Sequence, residues 1–374
     1  MELFNPHSKQ WLKNKFKFYE KLRNQPNLYF SEKYKMFVCT KYEDVLTVLN
    51  NDKMFRSSQG NLIVEDPHRF GRTLGASDNP THDIYKKIAL SAYSKDNIKR
   101  ISDVYRNIVK KRLSNSNIVN ISDIADFSSA HAVGELLSIP YDRDTIVDLI
   151  IHIQRHSSQC IRDNTNSSGY DHFRNILNKC LEDKKQSLGI GLYNEYLKYD
   201  IKVPSLFTGP TISGASSLSG AVELMVIDLC KENQLDILLE NLDLIPDAVN
   251  ESLRYNSSTG RFSRTVSDYT IISNTELSPG TRLAICLDSA NRDPAKFNDP
   301  NVFNIFRNSS KHLAWGYGLH ACIALAISKS LMTVFLEELL TTFGKYKIIT
   351  KDIDYLITAS GNNDKITNLV IQKI

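Results

Sequence analysis

The residue patterning predicts a mainly α-helical fold with small β regions, carried on a single domain spanning residues 1–374. Three observations point there. Helical periodicity recurs over residues 9–24, 42–49, 98–113, 121–137, 144–161, 170–185 and 205–232. Strand-like segments are confined to residues 29–40 and 260–287. Near the end, a glycine-punctuated loop carries Trp315, Gly316, Gly318 and His320 and delivers Cys322 to an apolar helix.

Composition narrows the class. Apolar residues make up 41% and charged residues 24%, ordinary for a globular chain. The net charge of +4, from 46 basic and 42 acidic residues, is too mild to predict a nucleic-acid partner. No apolar run reaches the ~20 residues needed to span a bilayer. The first residues lack a basic region followed by an apolar core, so no signal peptide or membrane anchor is expected, and a cytoplasmic location is. Six cysteines, at 39, 160, 180, 230, 286 and 322, have no paired spacing, which predicts unbridged thiols.

The elements follow in order. Residues 9–24 form a basic amphipathic helix with Trp11, Phe16, Tyr19 and Leu22 on its apolar side. Tyr29-Phe30 and residues 36–40 are two strands of a hairpin, and Tyr42 to Leu49 is a short helix. Residues 56–80 are polar and form a long loop, a kind of segment that often carries function. Pro80 and Thr81 start the next helix, on which His82 and Lys86 share a face and can hold an anion. Residues 157–168 are polar, and Asn166-Ser-Ser matches a glycosylation acceptor that means little without a secretory signal.

Residues 205–232 read as one long helix, small and polar in its first half and apolar in its second. Small residues there admit either a flat cofactor or a close-packed helix. Pro246 starts another helix, on which Glu251 and Arg254 meet on one face. Residues 260–272 give two short strands, and Pro279-Gly280 turns into a buried strand. The final helix packs Ile323, Ile327, Leu331, Val334, Phe335 and Leu339, with Gly344 as its stop. A cysteine at its N-terminus lies in the positive end of the helix dipole, which favours the thiolate. That suits a soft metal centre, and a haem iron is one candidate. His312, His320 and Cys322 also hint at zinc.

The order of residues in the cysteine loop resembles that of the cytochrome P450 family, Phe-x-x-Gly-x-His-x-Cys-x-Gly. Trp315 stands for the Phe, Gly318, His320 and Cys322 match, and Ala324 replaces the last Gly. Ala290-Asn-Arg-Asp-Pro294 is similar to a family segment almost letter for letter. Glu251 and Arg254, followed by Tyr255, resemble the family's Glu-x-x-Arg, and Arg307 resembles the second Arg that joins it.

The resemblance runs from about Trp11 to Ile371 and implies the family's fold around a long central helix. It implies haem b as cofactor, with the Cys322 thiolate as metal ligand. His82, Lys86, Arg264 and His320 then bind the cofactor's propionates, with Arg261 as an alternative to Arg264. Lys86 stands where the family has Arg, keeping the charge and losing the two-pronged bond. Glu251, Arg254 and Arg307 are implied to lock the cysteine loop from behind.

The family's central helix carries Ala-Gly-x-(Asp/Glu)-Thr. One register places Ser216 at the acid and Ser217 at the alcohol, as the implied catalytic pair. A second aligns Thr208-Gly209-Pro210-Thr211-Ile212. Neither contains a carboxylate, and a serine is no acid at neutral pH. Proton delivery then falls to water, the substrate or another residue.

The implied function is a haem-thiolate oxidoreductase that hydroxylates or epoxidises a small organic molecule in secondary metabolism. Oxidative coupling, ring closure or desaturation is the alternative, and a non-catalytic haem or ligand-binding protein a third. Ferredoxin and ferredoxin reductase are the implied electron donors.

Overall fold

The computed structural model describes residues 2–65, 71–114, 116–162, 168–186, 189–199, 205–231, 233–358 and 360–374. Helix α1 (Lys9–Arg23) is capped by Ser8, whose hydroxyl accepts from Trp11 N at 3.3 Å. Strands β1 (Tyr29–Ser31) and β2 (Met36–Cys39) form the predicted antiparallel hairpin. Helix α2 (Tyr42–Asn50) buries Val45, Val48 and Leu49. Strand β3 (Phe55–Arg56) opens the long loop, of which residues 66–70 lie outside the described residues. Helix α3 (Thr81–Ala89) begins directly after Pro80.

Helix α4 (Lys95–Leu113), strand β4 (Ile118–Asn120), helix α5 (Ile121–Leu137) and helix α6 (Arg143–Arg162) come next. Side-chain caps from Ser94 and Asn120 start α4 and α5. The polar stretch over 157–168 is helical as far as Arg162; residues 163–167, Asn166 among them, lie outside the described residues. Helices α7 (Ser168–Glu182) and α8 (Leu192–Lys198) precede the central helix.

That helix is built in three pieces: α9 (Ser205–Gly209), a π-turn over Pro210–Gly214, and α10 (Ala215–Leu229). Pro210 explains the middle piece. It has no N–H, and its ring crowds the carbonyl one turn back, so the backbone widens locally.

Helices α11 (Gln234–Glu240) and α12 (Ile245–Tyr255) lead to strands β5 (Arg261–Val266), β6 (Thr270–Ile272), β7 (Thr275–Leu277) and β8 (Arg282–Cys286). After α13 (Leu287–Ala290) and the cysteine loop comes α14 (Leu325–Glu338), ended by a π-turn and by Gly344 at φ +82°. Strands β9 (Tyr346–Ile348), β10 (Tyr355–Ile357), β11 (Asp364–Ile366) and β12 (Val370–Lys373) finish the chain.

Strands from the two predicted β regions join in one sheet, while β6 and β7 form a hairpin of their own. The sheet's order is β1-β2-β8-β5-β3, and β2 pairs in parallel with β8. A parallel neighbour far along the chain leaves no mark on local patterning. A second sheet, β4-β12-β9, draws the chain's end back to residues 118–120, and strands of three or four residues are too short to show alternation.

Helix α10 runs along α5 and touches α12 and α14, while α14 lies along α4. These helices enclose the largest apolar core, and the sheet has its own beside it. Among the described residues, no helix is long and apolar enough to cross a membrane, and the five described cysteines are unbridged.

Candidate active site

Helix bundle and sheet meet around a cavity of ≈ 310 Å³, within the range of small-molecule sites. The cysteine loop forms one wall. Gly316 and Gly318 turn it at φ +70° and +68°, and a Cβ on Gly318 would stand 2.7 Å from the Leu49 carbonyl oxygen. The Cys322 N–H donates to the Trp315 carbonyl at 2.8 Å, closing the loop on itself.

Cys322 is accessible, yet what it faces is the cavity. It stands in the loop, two residues before Ala324, the cap of α14. Burial pushes its thiol pKa up, against the Ala324 N–H, which donates to the sulfur, and the charge of Lys86. The expected helix-dipole activation is therefore outweighed, and a metal cation opposite the sulfur is what makes a thiolate stable there.

Behind the loop lies the charge cluster. Glu251 and Arg254 are both fully buried and joined by two bonds of 2.8 Å. Arg307 Nε reaches Glu251 Oε1 at 3.2 Å, and Ser309 Oγ donates to Oε2 at 2.5 Å. Arg254 also donates to the carbonyls of Asn291, Pro300 and Val302. Asn291 then accepts from Leu313 N at 2.6 Å, which ties the cluster to the root of the cysteine loop. Burial would raise the Glu251 pKa, but Arg254 and Ser309 hold it low.

One side of the cavity, reaching to the cysteine loop, is cationic. Arg264, His82, Lys86 and His320 all line it. The rings of His82 and His320 meet edge-on at 4.6 Å, and Lys86 Nζ donates to the Leu319 carbonyl at 2.7 Å. Asp78 lies behind them, 3.8 Å from His320 Nε2, which is too long for a hydrogen bond. Both His320 nitrogens thus stay without a partner. Among the described residues, Arg264 makes one hydrogen bond, to its neighbour Ser263, and burial lowers its pKa to about 10. Buried donors left open along one side of a cavity, with a sulfur on its wall, fit a flat group that carries anionic arms and a metal.

Arg261, the alternative to Arg264, is elsewhere. It is fully buried and paired with Asp288 and Asp364. The two arginines are an odd number of residues apart on β5 and face opposite sides of the sheet.

The central helix supplies the remaining wall. Ser213, Gly214 and Ser217 line the cavity, and Ser217 Oγ donates to the Gly214 carbonyl at 3.2 Å. Ser216 does not line it. One residue is a rotation of about 100°, so Ser216 is buried on another face of α10. In the second register, Gly209 and Pro210 border the cavity, while the Thr211 hydroxyl is bonded back to the Phe207 carbonyl at 2.8 Å. No aspartate or glutamate lines the cavity among the described residues. The zinc alternative also fails, since no three His, Cys, Asp or Glu side chains converge on a metal position there.

Ser257, Ser258 and Thr259 also border the cavity, and Ser258 Oγ donates to the Ser217 carbonyl at 2.6 Å. Tyr93 and Tyr196 close it from the helical side. Sequence reasoning missed all five. They come from connections and helix ends, and the only available signal was the run of hydroxyls following α12.

Residues 232–351 match the family model for cytochrome P450. A steroid C26-monooxygenase of Mycolicibacterium smegmatis is 24% identical, covering 83% of this chain and 81% of the relative. Pulcherriminic acid synthase of Bacillus subtilis is 22% identical, covering 96% and 95%. The solved structure of the Bacillus subtilis bacillaene polyketide synthase cytochrome P450 PksS superposes with a TM-score of 0.87 at 20% identity, covering 99% of both chains. With the cysteine wall, the clamp behind it and the cationic side, these matches lead to one conclusion: the chain belongs to the cytochrome P450 family and is an enzyme that takes haem b as its cofactor.

Proposed function

We propose that this chain is a monooxygenase in which Cys322 is the iron ligand and a small organic molecule is hydroxylated or epoxidised beside Ser217. The single observation that carries the reading is Cys322 on the cavity wall, in a loop held from behind by Glu251, Arg254, Arg307 and Asn291. Bound there, haem would supply dioxygen activation, with the Cys322 thiolate as its electron-donating ligand.

The residues of the chain do the rest. Arg264, Lys86, His82 and His320 hold the carboxylate arms of the cofactor, with Lys86 acting as a point charge. Gly214 and Ser213, small residues on the cavity wall, would leave room for the cofactor and a substrate. The Ser217 hydroxyl orients water or a substrate hydroxyl and passes a proton without changing its own charge. Tyr93, Tyr196 and Leu206 exclude bulk water and shape the substrate. Electrons come from a ferredoxin and its reductase in the cytoplasm, a pairing suited to a basic chain.

A reduced, carbon-monoxide-treated spectrum tests the ligand. Wild type is expected to show the red-shifted thiolate band and Cys322→Ala to lose it; a band that survives the substitution overturns the reading. A second reading, oxidative coupling or ring closure without oxygen insertion, is favoured by the lack of a carboxylate on the described cavity wall. Isotopically labelled dioxygen separates the two, since only the monooxygenase leaves label in the product.

A further inference from the structure

On the face of α10 turned from the cavity, the bundle core holds charge. Glu223 and Asp126 are 0% and 4% exposed. Lys365 of β11 is bonded to Asp126 Oδ1, and Ser219 Oγ donates to the same oxygen at 2.5 Å. Glu223 Oε2 accepts from Ile366 N at 2.9 Å, while its Oε1 makes no hydrogen bond. From α6, Gln154 Oε1 lies 3.5 Å from the Lys365 ammonium, and its Nε2 is buried without a partner. One lysine faces two carboxylates, so one of the two is expected to carry a proton. Asp126 has the ionic bond. Burial pushes the Glu223 pKa up to about 8; Lys365, the Ile366 N–H and the Ser122 hydroxyl oppose this, and Asp126 adds to it.

One face of α10 leads from this cluster to the level of the cavity. Ser216, Ser219 and Glu223 are spaced three and four residues apart and share one face of α10. Helix α5 packs along α10, with Asp126 against Ser219. Ser129 lies between Asp126 and Val133 on the same side of α5, and its buried hydroxyl, beside that of Tyr105, makes no close hydrogen bond. Buried polar atoms left open in this way are sites for internal water. The series ends at Ser216, next to Ser217 on the cavity wall.

We propose that Glu223 is the proton store of this enzyme, and that it supplies the cavity at Ser217 through Ser219, Ser216 and internal water. The inference rests on the oxygen-activating reading above. The Glu223 O–H bond breaks, and each hydroxyl gives one proton forward and takes one from behind. The proton is consumed in the reduction of dioxygen by electrons from the redox partner, and bulk water restores it to Glu223. Asp126 and Lys365 are positioning residues that hold Ser219 in line. The carboxylate absent from position 216 is thereby replaced from two turns further along the helix.

The test uses the haem-loaded protein without substrate. Infrared spectroscopy across pH is expected to show, in wild type and in Ser219→Ala, a protonated carboxyl band that is lost in Glu223→Gln. The protein is then given an excess of reduced ferredoxin in oxygenated buffer, so that two electrons and two protons can reach each dioxygen, and hydrogen peroxide release is timed in H₂O and D₂O. Both variants are expected to slow release by roughly ten- to a hundredfold and to lose the wild-type solvent isotope effect, with Glu223→Asp restoring part of it. Wild-type rates and isotope effects in Ser219→Ala, which keeps both carboxylates and should fold, overturn the relay. So does a carboxyl spectrum in Glu223→Gln identical to that of wild type. Failure of the oxygen-activating reading appears separately, as a missing thiolate band in the carbon-monoxide spectrum.

Discussion

Arg254 shows how much one side chain can be asked to hold. It is fully buried, bonded twice to Glu251, and donates to three carbonyls. A lysine keeps the charge but has no planar fork to meet these acceptors. Arg254→Lys is therefore expected to destabilise the fold by about 3–5 kcal/mol, the usual cost of breaking a buried pair. Denaturant melts would check this, and a loss below about 1 kcal/mol would contradict the assigned network. The pairing of Glu251 with Arg254 was legible from their spacing. The choice between Arg264 and Arg261 was not, because it depends on which face of β5 meets the cavity and which meets Asp288 and Asp364. Ser216 and Ser217 repeat the lesson on a helix, where adjacent residues point in different directions and only one reaches the cavity.

At the scale of elements, the cysteine loop depends on close approach to α2. Gly318 has a left-handed φ of +68°, and a Cβ there would meet the Leu49 carbonyl oxygen at 2.7 Å. Neither backbone group can yield cheaply. Gly318→Ala is expected to cost about 1–3 kcal/mol and to weaken cofactor retention, measured as haem lost to an apo-globin acceptor. Retention equal to wild type would show that the loop can shift without losing its function. Glycines marked this loop as a turn, but nothing local revealed that Leu49 is its neighbour. The central helix behaves in the same way. Its length was readable from composition, whereas the π-turn follows from Pro210 being held inside a helix that packing will not release.

The whole molecule carries two buried charge networks on either side of β11. Asp364, with Lys15, Arg261 and Asp288, lies on one side, and Lys365, with Asp126, on the other. They affect stability at different pH. Burial would raise the Asp364 pKa, but Arg261 and Lys15 hold it low, so its contribution is lost only in acid. Glu223 has the opposite sign. Its folded pKa of about 8 exceeds its ordinary value of 4.5, so the folded state keeps a proton that the unfolded state gives up. Its contribution is complete below pH 4.5 and is lost as pH rises through 8. Glu223→Gln is expected to flatten this decline, which can reach about 1.4 kcal/mol per pH unit. Thermal melts between pH 5 and pH 9 would read it as a variant that gains on wild type with rising pH. Parallel curves would mean that Glu223 is ionised in the fold.

By itself, the sequence determined the helical architecture, the turns of the cysteine loop and the Glu251–Arg254 pair, while its resemblance to known motifs implied the family and the part of Arg307. The first three rest on periodicity, on turn chemistry and on side chains paired within a few residues, all of which are local. Tertiary structure decided the rest. It joined strands of two β regions into one sheet, turned Arg264 rather than Arg261 to the cavity, and set Cys322 in the loop two residues before the cap of α14. It also brought Asp126, Glu223 and Lys365 together behind the central helix. Facing, burial and the pairing of charges distant in the chain are properties of packing, and no local pattern encodes them.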